Sequence, residues 1–191
     1  MLPKKHLCLS VARYLPLSVA AYLCLSLAVA DAGQASPFAA PASMETMHLT
    51  VVASTSDTPA TRGKRVSLAF DIMPKKSMHV YAPGKHDYQV ITINVDPQPW
   101  LRALPTVYPP SEIHDFKELN EKVEVYSKPF KLVRDVTILS SLEAKKALAA
   151  TPSPTITGNV EYQACDDRVC YSPKKVPFRF ALDLKPTTDK K

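Results

Sequence analysis

Cys165 and Cys170 are the residues of this chain with the clearest capacity for chemistry. They sit in the stretch Tyr162-Gln163-Ala164-Cys165-Asp166-Asp167-Arg168-Val169-Cys170-Tyr171. Two thiols so close in sequence can staple a turn, ligate a metal, or cycle between dithiol and disulfide in exchange with other proteins. Metal is the poorest fit. Zinc sites take four ligands, commonly two cysteine pairs or a pair with two histidines. Here there is one pair, and His48, His79, His86 and His114 show no ligand spacing.

The staple and the redox couple both stand on the residues alone. Cys165 and Cys170 flank a short connection between strand-like segments, which can bring their Cα atoms to bonding distance. Closing a loop of about six residues stabilises a fold by only ~2 kcal/mol on the chain-entropy relation, a small staple for a domain of ordinary size. The intervening Asp166-Asp167-Arg168-Val169 is polar enough for the surface. Its aspartates raise a neighbouring thiol pKa and its arginine lowers it, so the sequence leaves the balance open.

Compartment bears on this choice. The other two cysteines, Cys8 and Cys24, lie in an N-terminal stretch laid out as a secretory leader. Lys4, Lys5 and Arg13 supply its positive start, Leu15 to Ala30 its uncharged apolar centre, and Ala28-Val29-Ala30 and Ala30-Asp31-Ala32 its small-residue cleavage signals. The apolar run falls short of the roughly 20 residues of a spanning helix, and Pro16 interrupts it. A lipid-modified Cys24 is disfavoured because Leu23 stands where a small residue belongs. Residues 1–32 are therefore expected to be a signal peptide removed on export, leaving Cys165 and Cys170 in an oxidising compartment, where they can pair.

The bulk numbers exclude other classes. The chain has 191 residues and a net charge of +6. Loss of the leader takes Lys4, Lys5, Arg13 and Asp31 with it, so the excess shrinks. The remaining bases form no stripe of the kind nucleic acid binding requires. Only 4 glycines occur and none belongs to a phosphate-cradling motif, which argues against a nucleotide enzyme.

The elements that must position the thiols read as short strands. After an Ala, Ser and Pro-rich tether over residues 33–44, apolar residues alternate at Met47-Leu49-Val51, Val66-Leu68-Phe70-Ile72 and Ile91-Ile93-Val95. Further pairs flank Arg134, then come Ile156, Val160 and Tyr162, and Val176 to Leu184 closes the pattern. Period-two alternation places one face in a core. The turn signals between these runs, Pro83-Gly84-Lys85 and Ser172-Pro173 among them, predict an all-β antiparallel sandwich or barrel, with a tail at 186–191. Two segments depart from the pattern. Ser140 with Glu143 makes a capping box, predicting a short helix that ends before Thr151-Pro152. Pro97 to Lys122 carries few regular signals and reads as a long loop, either functional or a solvated insertion.

The run Val160-Glu161-Tyr162-Gln163-Ala164-Cys165, followed by Cys170-Tyr171 and Pro173, resembles the signature of the N-terminal periplasmic domain of the thiol:disulfide interchange protein DsbD. This domain also occurs as a free-standing module, the disulfide bond corrector. His79-Val80-Tyr81 is similar to the family's strand that ends in an aromatic near its active site. His114-Asp115-Phe116 and then Glu124-Val125-Tyr126 are similar to its cap loop and the strand after it. The resemblance extends over about residues 45 to 185. It implies an immunoglobulin-like sandwich with the cysteine pair at its edge.

It also implies a periplasmic relay, rather than a stand-alone catalyst, that needs no cofactor, metal or small-molecule substrate. Electrons would arrive from a membrane-embedded thiol transporter and pass to thioredoxin-like proteins. Cys170 would form the mixed disulfide, Cys165 would resolve it, Phe116 would cap the pair, and Tyr81 and Tyr171 would line the site. The bland reading of Phe116 and Tyr81 is ordinary packing, and His79 and His114 are read as solvent or packing residues. The cysteine loop is one residue shorter than in the fused members of the family. No membrane or thioredoxin-like domain is read after the sandwich, so the expected donor is a separate protein. The alternative is a secreted immunoglobulin-like binding or scaffold module with a structural disulfide.

Overall fold

The structure, a computed structural model, describes residues 42–56, 59–117, 120–166 and 168–185. The expected signal peptide, the tether up to residue 41 and the tail at 186–191 lie outside them. In chain order the strands are β1 (Ala42–Glu45), β2 (Leu49–Thr55), β3 (Arg65–Pro74), β4 (His79–Tyr81), β5 (Thr92–Val95) and β6 (Leu101–Val107). There follow β7 (Glu112–Phe116), β8 (Glu121–Tyr126) and β9 (Phe130–Ile138), then helix α1 (Leu142–Ala149), and finally β10 (Thr155–Tyr162), β11 (Ala164–Cys165) and β12 (Lys174–Ala181). The first strand thus takes in the last residues of the stretch read as tether.

These strands form antiparallel sheets of order β1-β2-β3-β9-β6, β12-β10-β5 and β11-β4-β8-β7. The first two face each other as an immunoglobulin-like sandwich. β3 shows why. Val66, Leu68, Phe70 and Ile72 alternate with more exposed neighbours and are all buried, each contributing about 1.5–3 kcal/mol by leaving water. Phe70 meets Phe178 of β12 with ring centroids 4.9 Å apart, and the Arg134 guanidinium of β9 donates to the Ile93 carbonyl of β5. At Gly158, β10 passes so close to β5 that a Cβ would stand 2.0 Å from the Asn94 carbonyl oxygen, so only glycine fits.

Three local expectations are revised. Met47 does not continue the Leu49–Val51 stripe and is 77% exposed. Thr46 Oγ1 accepts from the amides of His48 and Leu49, and this turn breaks the alternation so that His48 goes inward instead. The helix is capped by Ser141, one residue beyond the expected Ser140, with Ser141 Oγ accepting from Ala144 N–H. Its Ala144 and Leu148 are buried. The stretch 97–122 is not one long loop, since it contains β6 and β7. Both are edge strands with half-exposed faces, and the pairing of β6 with β9 shifts register between Ala103 and Thr106, where Pro105 sits. An edge strand with a bulge tolerates proline and loses strict alternation, which is why periodicity missed it.

The third sheet positions the cysteines. β10 stays in the sandwich through Tyr162, whose buried ring is tied by its hydroxyl to Thr46 Oγ1. One residue later the chain changes sheets, and β11 pairs with β4 through Ala164↔Val80 and Cys165↔His79. Gln163 is the corner. Among the described residues no helix is long and apolar enough to cross a membrane.

Candidate redox site

Cys165 and Cys170 form a disulfide with Cα atoms 4.1 Å apart. Its two halves differ. Cys165, held in β11, is 0% exposed, whereas Cys170 is exposed at the end of the connecting loop. The loop is built by Asp166. Its Oδ1 accepts from the amides of Arg168 (2.8 Å) and Val169 (2.7 Å), and its Oδ2 accepts from the Tyr171 hydroxyl (2.9 Å). These donors, the Arg168 amide first, hold the Asp166 carboxyl below its ordinary pKa. The Tyr171 amide then donates to the Ala164 carbonyl and returns the chain beside β11. Sequence reasoning treated Asp166 as a charge acting on the thiols, but its carboxylate is committed to the loop backbone, an Asx turn that could have been read from an aspartate at this position.

Tyr81, at the end of β4, lies beneath the disulfide. Its hydroxyl is 3.0 Å from Cys165 Sγ and 3.2 Å from Cys170 Sγ. Burial above all, then the neighbouring Tyr88 and Glu121, pushes its pKa up to about 12, so the hydroxyl keeps its proton. Phe116 ends β7 and is buried in a small cluster with Tyr81, Val123, Val125 and Cys165. Its ring packs on His79 (5.3 Å between centroids) and His114 (4.3 Å), which stack on each other at 4.9 Å. Both histidines are therefore packed under or beside this aromatic.

The structure thus brings Cys165, Cys170, Tyr81 and Phe116 into one corner. Tyr171 is placed differently. It packs toward the sandwich core, its ring 4.5 Å from that of His48, and meets the cysteine loop through Asp166 rather than facing Tyr81.

One residue went unread. Tyr88 stacks on Tyr81 with centroids 4.2 Å apart and planes 5° from parallel, and its hydroxyl donates to Glu121 Oε2 at 2.8 Å. Nothing local marks it, because it lies between β4 and β5 and its carboxylate partner comes from the β7–β8 hairpin. Among the described residues no group of three or more His, Cys, Asp or Glu is placed to hold a metal ion.

In chemical terms the corner exposes one cysteine, buries the other, and sets a protonated hydroxyl against both sulfurs. Among solved structures the chain is similar to the N-terminal periplasmic domain of ScsB from Proteus mirabilis, with 15% identity and a TM-score of 0.48; the match covers 73% of this chain and 47% of that one. No curated protein matches it in sequence. The family described as the N-terminal region of thiol:disulfide interchange protein DsbD matches residues 49–181, well over half of the chain and the whole of the cysteine corner, and to that family the chain belongs.

Proposed function

We propose that the mature chain is a periplasmic relay module that carries reducing equivalents through Cys165 and Cys170, accepting them from a membrane-embedded thiol transporter and passing them to thioredoxin-like proteins. The observation that carries the reading is the unequal burial of the two cysteines. Exchange requires a thiolate to approach along the S–S axis, and Cys170 is the exposed member of the pair.

A donor thiolate attacks Cys170 Sγ, the S–S bond breaks, and the electron pair goes to Cys165 Sγ. The donor's second thiolate then attacks its own sulfur in the mixed disulfide and releases Cys170 as a thiolate. The donor dithiol is oxidised and this disulfide reduced. Delivery to an acceptor disulfide runs the same steps in reverse, with Cys170 attacking and Cys165 resolving. Phe116 serves as the cap over the pair, and export through the leader at residues 1–32 places the module in the periplasm.

The test is trapping. A Cys165→Ser variant leaves Cys170 without its resolving partner and should accumulate mixed disulfides with thioredoxin-like proteins under oxidising conditions, whereas Cys170→Ser should not. Equal trapping by both variants, or by neither, contradicts the reading. The potential of the couple gives a second test: roughly −180 to −270 mV accords with a relay, and below about −300 mV it is the staple of a scaffold module.

A further inference from the structure

We propose that Tyr88 and Glu121 are positioning residues that clamp Tyr81, so that its hydroxyl donates to the Cys165 sulfur as the disulfide opens. The inference rests on the relay reading for its purpose and on separate geometry for its parts.

The sulfur that leaves when Cys170 is attacked is Cys165, which is fully buried. A thiolate formed there has no water to stabilise it, and burial without a partner disfavours the charged form strongly. The Tyr81 hydroxyl, 3.0 Å away, is the group in place to answer that charge. A hydrogen bond to an ionised sulfur is stronger than one to a neutral sulfur, so this contact strengthens as the bond breaks. No proton need leave the tyrosine. The electron pair of the S–S bond goes to Cys165 Sγ, and the Tyr81 O–H turns from two sulfurs to one.

That service depends on holding the ring still, because the same hydroxyl also reaches Cys170 at 3.2 Å. β4 alone is short, His79–Tyr81, and the rings of His79 and His86 meet Tyr81 only edge-on or tilted, at 6.1 and 5.4 Å between centroids. Tyr88 covers a face of the Tyr81 ring in a near-parallel stack. Two ties hold Tyr88 in turn. Its hydroxyl donates to Glu121, and the next residue, Gln89, donates its amide to Gln163 Oε1 at the sheet-changing corner (3.2 Å). Glu121 is itself the register partner of Phe116, at the turn end of the β7–β8 pairing. The residue that anchors the clamp thus sits opposite the proposed cap. The hydroxyl at the sulfurs and the aromatic proposed to cap them share one support.

The experiment follows the Cys165 thiol directly. In a Cys170→Ser background, the 13Cβ shift of Cys165 is titrated by NMR. Tyr81→Phe should raise the thiol pKa by about one unit, a tenfold loss of thiolate at a given pH, because the donor to the charged form is gone. Tyr88→Phe keeps the stack but loses the tie, and should raise it by about half a unit. Glu121→Ala should do the same, and Glu121→Gln, which keeps a carbonyl acceptor for the Tyr88 hydroxyl, should restore the original value. Tyr88 and Glu121 are only half-buried, so their variants remain informative if Tyr81→Phe fails to fold. A thiol pKa that moves with Tyr81→Phe but not with Tyr88→Phe or Glu121→Ala overturns the clamp. A pKa that moves with none of them overturns the whole inference. If the shifts appear while the wild-type chain exchanges with no thioredoxin-like protein, the clamp stands and the relay reading falls.

Discussion

Reducing Cys165–Cys170 should leave the domain folded and only slightly less stable. The disulfide closes a loop of about six residues, for which the chain-entropy relation gives about 2 kcal/mol at 25 °C. Most of the loop's order does not depend on the S–S bond. Asp166 still accepts from the Arg168 and Val169 amides, its own amide still donates to the Val169 carbonyl, and Tyr171 still donates to Ala164. Folding and oxidation form a closed cycle, so whatever the disulfide adds to folding, the fold adds to the disulfide. For a two-electron couple 30 mV corresponds to about 1.4 kcal/mol, so the folded couple should be more reducing than that of the unfolded chain by about 45 mV. Both potentials are measurable by equilibrating the chain with graded glutathione buffers, in plain buffer and in concentrated urea, then counting thiols after acid quenching. Urea unfolding of the oxidised and reduced forms gives the same quantity independently. A gap near 100 mV, equivalent to about 5 kcal/mol, would refute the reasoning. It would mean that the fold grips the disulfide far harder than loop closure explains, as a structural staple does.

Removing the proposed cap with Phe116→Ala should speed reduction of the disulfide by a small dithiol about tenfold. It should also cost about 3 kcal/mol in urea unfolding, the lower end for a buried phenylalanine because the ring is 9% exposed in a small cluster; an unchanged reduction rate would make it a packing residue only. Asp166→Ala should strip hydrogen-exchange protection from the amides of Arg168 and Val169 while leaving β10 protected, and retained protection would show that the loop is ordered by something else. His48 should make the fold sensitive to mild acid. Burial, then Lys174 and Lys75, holds its pKa below 6.5, so the unfolded chain binds a proton that the folded one refuses, and stability declines as pH falls from 6.5 toward the folded value. His48→Phe should flatten the loss between pH 7.5 and 5, and an equal loss in the variant would place the sensitivity elsewhere. Glu112 acts in a lower window. Its pKa is depressed to about 2 by the Ser127 hydroxyl, then Lys128, so its contribution fades only as pH drops below about 4.5.

How much of this was legible depends on whether a residue's environment is set by near neighbours or by distant ones. β3 could be read because it is central, paired on both sides by β2 and β9, and buried along one face, so its sequence alternates strictly. β6 and β7 could not, because an edge strand half in water imposes no such alternation. At Met47 and His48 a threonine turn reversed the faces that alternation predicts. In the corner itself the cysteines and their flanking Tyr-Gln-Ala were readable as a contiguous motif. Phe116, which reaches the corner through a hairpin, was found only through family resemblance. Tyr88 was found by neither route, because its significance lies in a ring under it and a carboxylate from β8.

The sheet change at Gln163 explains why the two cysteines came out unequal. Had β10 run on in the sandwich, Cys165 would have joined the ladder with β5 and β12, and its partner five residues on would have bridged two positions of one flat surface. The chain leaves that ladder after Tyr162 and gives only Ala164 and Cys165 to β4, enough to bury one sulfur against Tyr81. The chain then folds back on itself: Cys165 bridges Cys170, the Asp166 amide donates to the Val169 carbonyl while its carboxylate accepts from the loop amides, and Cys170 is left at the rim. Burial of one sulfur and exposure of the other are two results of a single topological step. A substitution that restored pairing beyond Cys165 would therefore remove the exposed sulfur without touching either cysteine.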